Sequence, residues 1–190
     1  MRVLVVYAYP NHEGFAHAVC QNVLEGLREA GAAFDLIDLY EEGFNPMLVF
    51  NATKHRSQMK TDPETAHYRE LVTRADHLIF VYPTWWSGMP AVLRGFFDRV
   101  FASGFAYTYS GRYPHGLLKN KSATLIYTMD SPAFYARIFR RNVEWHSVKG
   151  PIFHFCGIRP VHRLVLYGVR TSSEQKRTAF LERVRSYCAR

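Results

Sequence analysis

Apolar positions along the chain switch repeatedly between two periods. Residues 3–7 (VLVVY) form an unbroken apolar run, the mark of a strand covered on both faces. Past Pro10, the residues Ala16, Val19, Cys20, Val23, Leu24 and Leu27 recur at helical spacing, giving one apolar stripe that Gly31 ends. Phe34, Leu36, Ile37 and Leu39 predict a second strand. Residues 43–59 hold no clean period and predict a long loop, a candidate for site or dimer contacts. A helix follows over residues 63–74, then a strand over 77–83. Pro90 then opens a helix with Leu93, Phe96, Phe97, Val100 and Phe101 on one face. Residues 105–118 read as a hairpin-like excursion and 122–129 as a fourth strand. Ser131 and Pro132 predict the N-cap and first position of another helix. A helical segment over 149–155 precedes a fifth strand over 161–168. The last helix opens on Thr171-Ser-Ser-Glu174, a capping box, and is striped by Phe180, Leu181, Val184, Tyr187 and Cys188.

Strand and helix alternate throughout, which predicts an α/β three-layer sandwich spanning residues 1–190 as one domain. Its five-stranded parallel sheet is expected to have right-handed crossovers and the flavodoxin-like order 2-1-3-4-5. Ligands of such sheets bind beyond the carboxyl ends of the strands, near the switch in strand order. Loops 9–16, 83–88 and 128–132 gather there, and the middle one carries Trp85 and Trp86. Two adjacent tryptophans cannot both face one core, so at least one points into a cleft, an interface or a ligand. A flat apolar ligand with a polar rim suits this place, and a flavin ring is one. Aromatic side chains cover its faces, N–H groups of a tight loop meet its edge, and its phosphate sits at the amino end of the first helix.

Composition narrows the function classes. The 24 Lys and Arg against 16 Asp and Glu leave a net charge of +8. Such a balance fits nucleic acid, a membrane surface or small anions. The tightest basic cluster is only Arg137, Arg140 and Arg141, interrupted by apolar residues, and no nucleic-acid-binding signature is visible, so nucleic acid is not expected. Cys20, Cys156 and Cys188 are widely spaced and suggest neither a disulfide framework nor a zinc site. His154 and Cys156 lack a second ligand pair, so no metal is expected. The first apolar run is too short to span a membrane and has no cleavage site after it, which predicts a cytoplasmic protein. No G-x-G-x-x-G, P-loop or G-x-S-x-G is present.

Four separated stretches, FNPML (44–48), YPTWWSGMPAVLRGFFDRVF (82–101), GFAYTY (104–109) and HFCGI (154–158), carry a more specific resemblance. In that order, and over nearly the whole chain, the sequence resembles the NAD(P)H:quinone oxidoreductases of the flavodoxin-like superfamily, the DT-diaphorase-like flavoproteins. The resemblance implies a homodimer that binds FMN or FAD, takes electrons from NAD(P)H and reduces quinones or similar acceptors by two electrons; since one cleft cannot hold nicotinamide and quinone on the same flavin face together, ping-pong exchange is expected. Pro83, Thr84, Trp85 and Trp86 match the loop that runs along the flavin ring. Thr128, Met129 and Asp130 stand where the family has a Thr-Thr-Gly-Gly loop, without its glycines. Tyr9-Pro10 and Gly14-Phe15-Ala16 replace the His-Pro and Ser-Phe-Asn of the phosphate loop. The hydroxyl and amide are gone, which leaves the main-chain N–H groups of Gly14, Phe15 and Ala16 to hold the anion, with His12 or His17. Tyr135 stands for the family tyrosine that assists charge on the reduced flavin, and His146, at no clear spacing, is the candidate for its histidine. Asp130 either caps the following helix beside Ser131 or presents its carboxylate to the ring. FMN is the expected cofactor and FAD the alternative, because little sequence follows the last helix to hold an adenine. Two other readings stay open: a regulatory subunit of a potassium-efflux transporter, which needs a membrane partner, and a flavodoxin-type electron carrier.

Overall fold

The computed structural model describes residues 1–190. Strand β1 (Arg2–Tyr7) lies inside the sheet because its alternate residues are buried on opposite faces. Val3, Val5 and Tyr7 join one apolar cluster, while Leu4 and Val6 join the other. Helix α1 (Phe15–Glu29) leads to β2 (Ala33–Asp38). Helix α2 (Ala66–Arg74) precedes β3 (His77–Pro83), and α3 (Ala91–Val100) follows it. A short antiparallel hairpin, β4 (Tyr107–Ser110) and β5 (Tyr113–Gly116), precedes β6 (Ser122–Met129). Helix α4 (Val143–Val148), β7 (Val161–Tyr167) and α5 (Glu174–Cys188) complete the chain. The parallel sheet runs β2-β1-β3-β6-β7, so without the hairpin strands the order is 2-1-3-4-5, as expected. Helices α1 and α5 cover one face; α2, α3 and α4 cover the other. No helix is long and apolar enough to cross a membrane.

Close helix packing uses glycine where backbones meet. A Cβ on Gly26 of α1 would stand 2.4 Å from the Arg185 carbonyl oxygen of α5. One on Gly95 of α3 would stand 2.4 Å from Pro46, so the FNPML segment lies directly on that helix. The long aperiodic loop is held by two buried arginines. Arg99 donates to the Asn45 carbonyl (2.6 Å) and pairs with Glu64, while Arg69 donates to the carbonyls of Met59 (3.2 Å) and Asp62 (2.7 Å). Backbone carbonyls anchored this way order a segment without leaving a period in its sequence.

Three expectations need correction. The cap of α5 is Ser173, whose hydroxyl accepts the Lys176 N–H at 3.3 Å; Thr171 closes a 3-10 turn, Val169–Thr171, in front of it. Ser131 and Pro132 do begin a helical turn, with the Ala136 N–H bonded to the Pro132 carbonyl at 3.0 Å, but it widens at once into a π-helical turn, Tyr135–Phe139, with no side-chain cap. The segment over 149–155 is π-helical over Lys149–His154, and the sequence pattern missed α4 in front of it.

Burial pushes the thiols of Cys20, Cys156 and Cys188 up to about 12, so none serves as a thiolate near neutral pH. At the amino ends of the strands, His77 bonds Ser122 (2.6 Å) and Thr124 (2.9 Å). Burial, reinforced by His162, pushes its imidazole down to about 4. The unfolded chain takes that proton near 6.5. The contribution is therefore complete above about pH 6.5 and is lost as pH falls toward 4. His77→Asn is expected to flatten the acid limb of stability, measured as urea midpoints between about pH 7 and about pH 4.5. Identical slopes in the two proteins would remove His77 from that account.

Candidate active site

The loops after β1, β3 and β6 meet at the carboxyl edge of the sheet. Thr84 staples two of them: its N–H donates to the Thr128 carbonyl at 2.8 Å, and its hydroxyl to the same oxygen at 3.1 Å. Pro83 sits at the end of β3, in register with Thr128. Beyond Thr84 the chain makes a two-residue hairpin turn. Trp85 and Gly88 exchange both N–H···O bonds at 2.9 Å, and Trp86 and Ser87 between them have φ of 52° and 58°. Two successive positive φ values make a type I′ turn, a place that glycine and asparagine usually fill. The N–H groups of Trp86 and Ser87 make no bond within the chain.

Neither tryptophan is in the core. Trp86 is fully exposed (101%), and Trp85 is 41% exposed, its ring edge-on to Tyr9 at 6.1 Å. That contact joins the first loop to the second. Thr84, Trp85, Trp86, Ser87, Met129, Asp130 and Ser131 line a cleft of about 460 Å³. Asp130 is exposed in its wall, and no side chain caps the helical turn that follows, so capping does not account for this residue.

At the first loop, Gly14 is the extended N-cap of α1 and brings no side-chain acceptor. The N–H groups of Gly14, Phe15 and Ala16 are free of partners in the chain and point out of the positive end of a 15-residue helix. His12 is engaged elsewhere: its Nε2 lies 2.6 Å from Asp38 at the end of β2, and that bond raises its pKa. The His17 ring lies 5.2 Å from that of His12, with Nε2 on Gln21 at 3.1 Å and Nδ1 buried without a partner.

Tyr135 is not part of the cleft wall; it is half-exposed and stacks on Phe139, with ring centres 5.8 Å apart. Its segment is nonetheless tied to the cleft, since Arg140 Nη2 donates to the Ser87 hydroxyl at 3.0 Å. His146 is exposed on α4 and lines no cleft wall. Ser87 and Ser131 lie in the loops that the sequence placed at the site but were not singled out as cleft residues, and Arg140, read only as part of a basic cluster, enters through its tertiary contact with Ser87. Sequence reasoning missed a second cavity of about 360 Å³, lined by Leu48, Phe97, Phe101, Tyr107 and Phe155 among others. All four resembling stretches contribute to its walls, three of them far in sequence from the tryptophans.

Known proteins agree with this architecture. The family described as having a flavodoxin-like fold matches residues 1–189. NAD(P)H dehydrogenase [quinone] 1 of Cavia porcellus is 30% identical over 95% of this chain and 73% of its own length. The crystal structure of Smu.1420 from Streptococcus mutans UA159 superposes with a TM-score of 0.93 at 38% identity, covering 100% of this chain and 99% of that one. NAD(P)H:quinone oxidoreductase from Methanothermobacter marburgensis gives 0.85 at 27%, covering 100% and 96%. With its strand order and these matches over nearly its whole length, this chain belongs to the NAD(P)H:quinone oxidoreductase family of flavodoxin-like proteins and is an oxidoreductase.

Proposed function

We propose that the chain is a flavin-dependent NAD(P)H oxidoreductase of the cytoplasm that reduces quinones or similar electron-poor acceptors by two electrons. The observation that carries this reading is two sets of free N–H groups at one edge of the sheet: Gly14–Ala16 at the amino end of α1, on the loop that Tyr9 joins to Trp85, and Trp86–Ser87 in the wall of the cleft. They fit a flavin. The first set suits a phosphate at a helix amino end, the second suits the carbonyl edge of a ring, and Trp85 offers an aromatic surface. One such anion site suits the single phosphate of FMN better than the diphosphate of FAD, which is the alternative.

A bound flavin supplies hydride acceptance from NAD(P)H and hydride donation to the acceptor. The chain supplies the rest. Thr84 and the Thr128 carbonyl fix the distance between the two walls, and Tyr9 keeps Trp85 from swinging into solvent. We assign Tyr135, whose segment the Arg140–Ser87 bond ties to the cleft, to assisting charge on the reduced flavin. In this reading a bound ring keeps one face open to the cleft, so nicotinamide and acceptor occupy that position in turn. Met47, Leu48, Val49 and Phe50, with Tyr109 and Tyr113 of the hairpin, are open to solvent and suit a second copy, in keeping with a homodimer.

Purified protein is expected to be yellow, or to become so on reconstitution, and to release FMN by mass. Initial rates against NAD(P)H at several fixed quinone levels are expected to give parallel double-reciprocal lines. A protein that retains neither FMN nor FAD would overturn the reading, and intersecting lines would overturn the single shared position.

Trp85→Ala is expected to weaken flavin binding roughly tenfold, a loss of about 1.4 kcal/mol, whereas Trp86→Ala leaves the melting temperature unchanged because its side chain is already in solvent. Unchanged flavin affinity in Trp85→Ala would return that residue to packing alone.

For Asp130→Asn the melting temperature is expected to hold, since the carboxylate caps nothing. The potential of the bound flavin is expected to rise, because a negative charge facing a site that gains negative charge is removed. An unmoved potential would take Asp130 out of the site.

A further inference from the structure

The carboxyl end of α5 and the start of β7 enclose a cavity that the proposed reaction does not use. It holds about 330 Å³ and lies at the amino edge of the sheet, opposite the cleft. On the helix side, Arg183, Ser186, Tyr187 and Arg190 succeed one another at spacings of three and four, so they share one face of α5 and its continuation. His162, Arg163 and Leu164 of β7 form the opposite wall, and no acid lines the cavity. The cations differ in what they already hold. Arg163 is committed: Nη1 donates to the Tyr127 hydroxyl at 3.0 Å and to Glu144 at 3.4 Å, and Nη2 to Asn142 Oδ1 at 3.0 Å. Arg185, on another side of α5, pairs with Glu25 and Glu29 of α1. Arg183 and Arg190 pair with no carboxylate, and both are exposed, as is His162.

Tyr187 ends a hydrogen-bonded chain that starts inside the fold. Its hydroxyl lies 3.0 Å from Thr124 Oγ1, which lies 2.9 Å from His77 Nε2, and His77 Nδ1 lies 2.6 Å from Ser122 Oγ. His77 is neutral near pH 7 and carries one N–H. With Ser122 donating to Nδ1, each donor passes to the next, and the Tyr187 hydrogen is left for a partner outside the chain. Two unpaired guanidinium groups, an imidazole and hydroxyl donors, with no carboxylate among them, are complementary to an anion. The carbonyl end of α5 opposes this with about half a negative charge, less than the two arginines supply. Those arginines start two helical turns apart, about 10 Å along the axis, which suits an anion with oxygens on several sides rather than one carboxylate. A volume of about 330 Å³ is that of a small-molecule site rather than of a bare ion, and Leu164 with the Tyr187 ring gives it an apolar side. We propose that this cavity binds a phosphate-bearing small molecule, with Arg183 and Arg190 on its phosphoryl oxygens and Tyr187 donating to one of them. No residue of the cleft takes part, so the site stands apart from the flavin reading.

The test is calorimetric titration of the full chain, loaded with FMN, with inorganic pyrophosphate at constant ionic strength. Loading occupies the amino end of α1. A chain that holds no flavin is titrated as it stands, because variants on α5 locate the site in either case. A single saturable site per chain is expected. Arg183→Gln is expected to weaken it roughly tenfold, the loss of one charge-assisted bond, and Tyr187→Phe about fivefold. Arg177→Gln removes the same charge from α5 outside the cavity and is expected to change affinity by less than about twofold, since solvent and salt screen it. Both arginines are exposed, so circular dichroism and melting temperature of the two variants should match the parent protein. Absence of binding would overturn the proposal. So would equal weakening by Arg177→Gln and Arg183→Gln, which would reduce the cavity to diffuse attraction by a basic surface.

Discussion

The structure depends on burying both faces of a parallel sheet. β1 is hydrogen-bonded to β2 on one side and to β3 on the other, so the chain leaves it in both lateral directions. Right-handed crossovers then send α1 to one face and α2 and α3 to the other. The loops after β1 and β3 diverge at that switch, and nothing of the fold covers the gap between them. Every strand in the sheet points the same way, so the loops after β1, β3 and β6 share one edge. The site is thus a consequence of the core: apolar alternation along β1 and β3 fixes where the free amides and tryptophans end up.

The site carries backbone cost that the scaffold offsets. Trp86 and Ser87 both hold positive φ without being glycine, at roughly 1–3 kcal/mol each. The double hydrogen bond between Trp85 and Gly88 and the Thr84–Thr128 staple hold the turn in that conformation. Bulk at such a turn makes sense only where the side chains have somewhere to go. Trp85 goes to Tyr9 and the cleft, and Trp86 goes to solvent beside the arginine-rich segment.

What could be read from sequence follows from how local its cause is. Apolar runs, unbroken in the cores of β1 and β3 and interrupted in the others, named the strands of the sheet, and the 3.6 period named α1, α3 and α5, because burial repeats with the backbone. The convergence of loops followed from strand order. Contacts between distant residues left no trace: His12 with Asp38, Arg140 with Ser87, and the two buried arginines that order the loop after β2. The cap of α5 was misplaced because Thr171 and Ser173 are both good caps. The choice was made by Gly168, whose φ of 64° starts a 3-10 turn, and Thr171 bonds back to the Gly168 carbonyl at 3.4 Å instead. The widening of residues 135–139 into a π-turn has no account in the pattern of side chains.

The departures from the family pattern are conformationally self-consistent. No residue between 128 and 134 has a positive φ, so the loop after β6 does not need glycine to run as it does. What the loss of glycine changes there is space and charge, since Asp130 and Ser131 place side chains in the cleft wall. At the first loop the logic reverses. Gly14 is extended, with φ of −86°, and its conformation would tolerate a side chain. A Cβ there, however, would meet Asn11 Nδ2 at 3.3 Å and the Tyr9 ring at 3.4 Å. A hydroxyl at that position would therefore need Asn11 or Tyr9 to give way, and Tyr9 is the residue that braces Trp85. Free main-chain amides at the amino end of α1 and the aromatic brace of Trp85 are thus two sides of one packing choice.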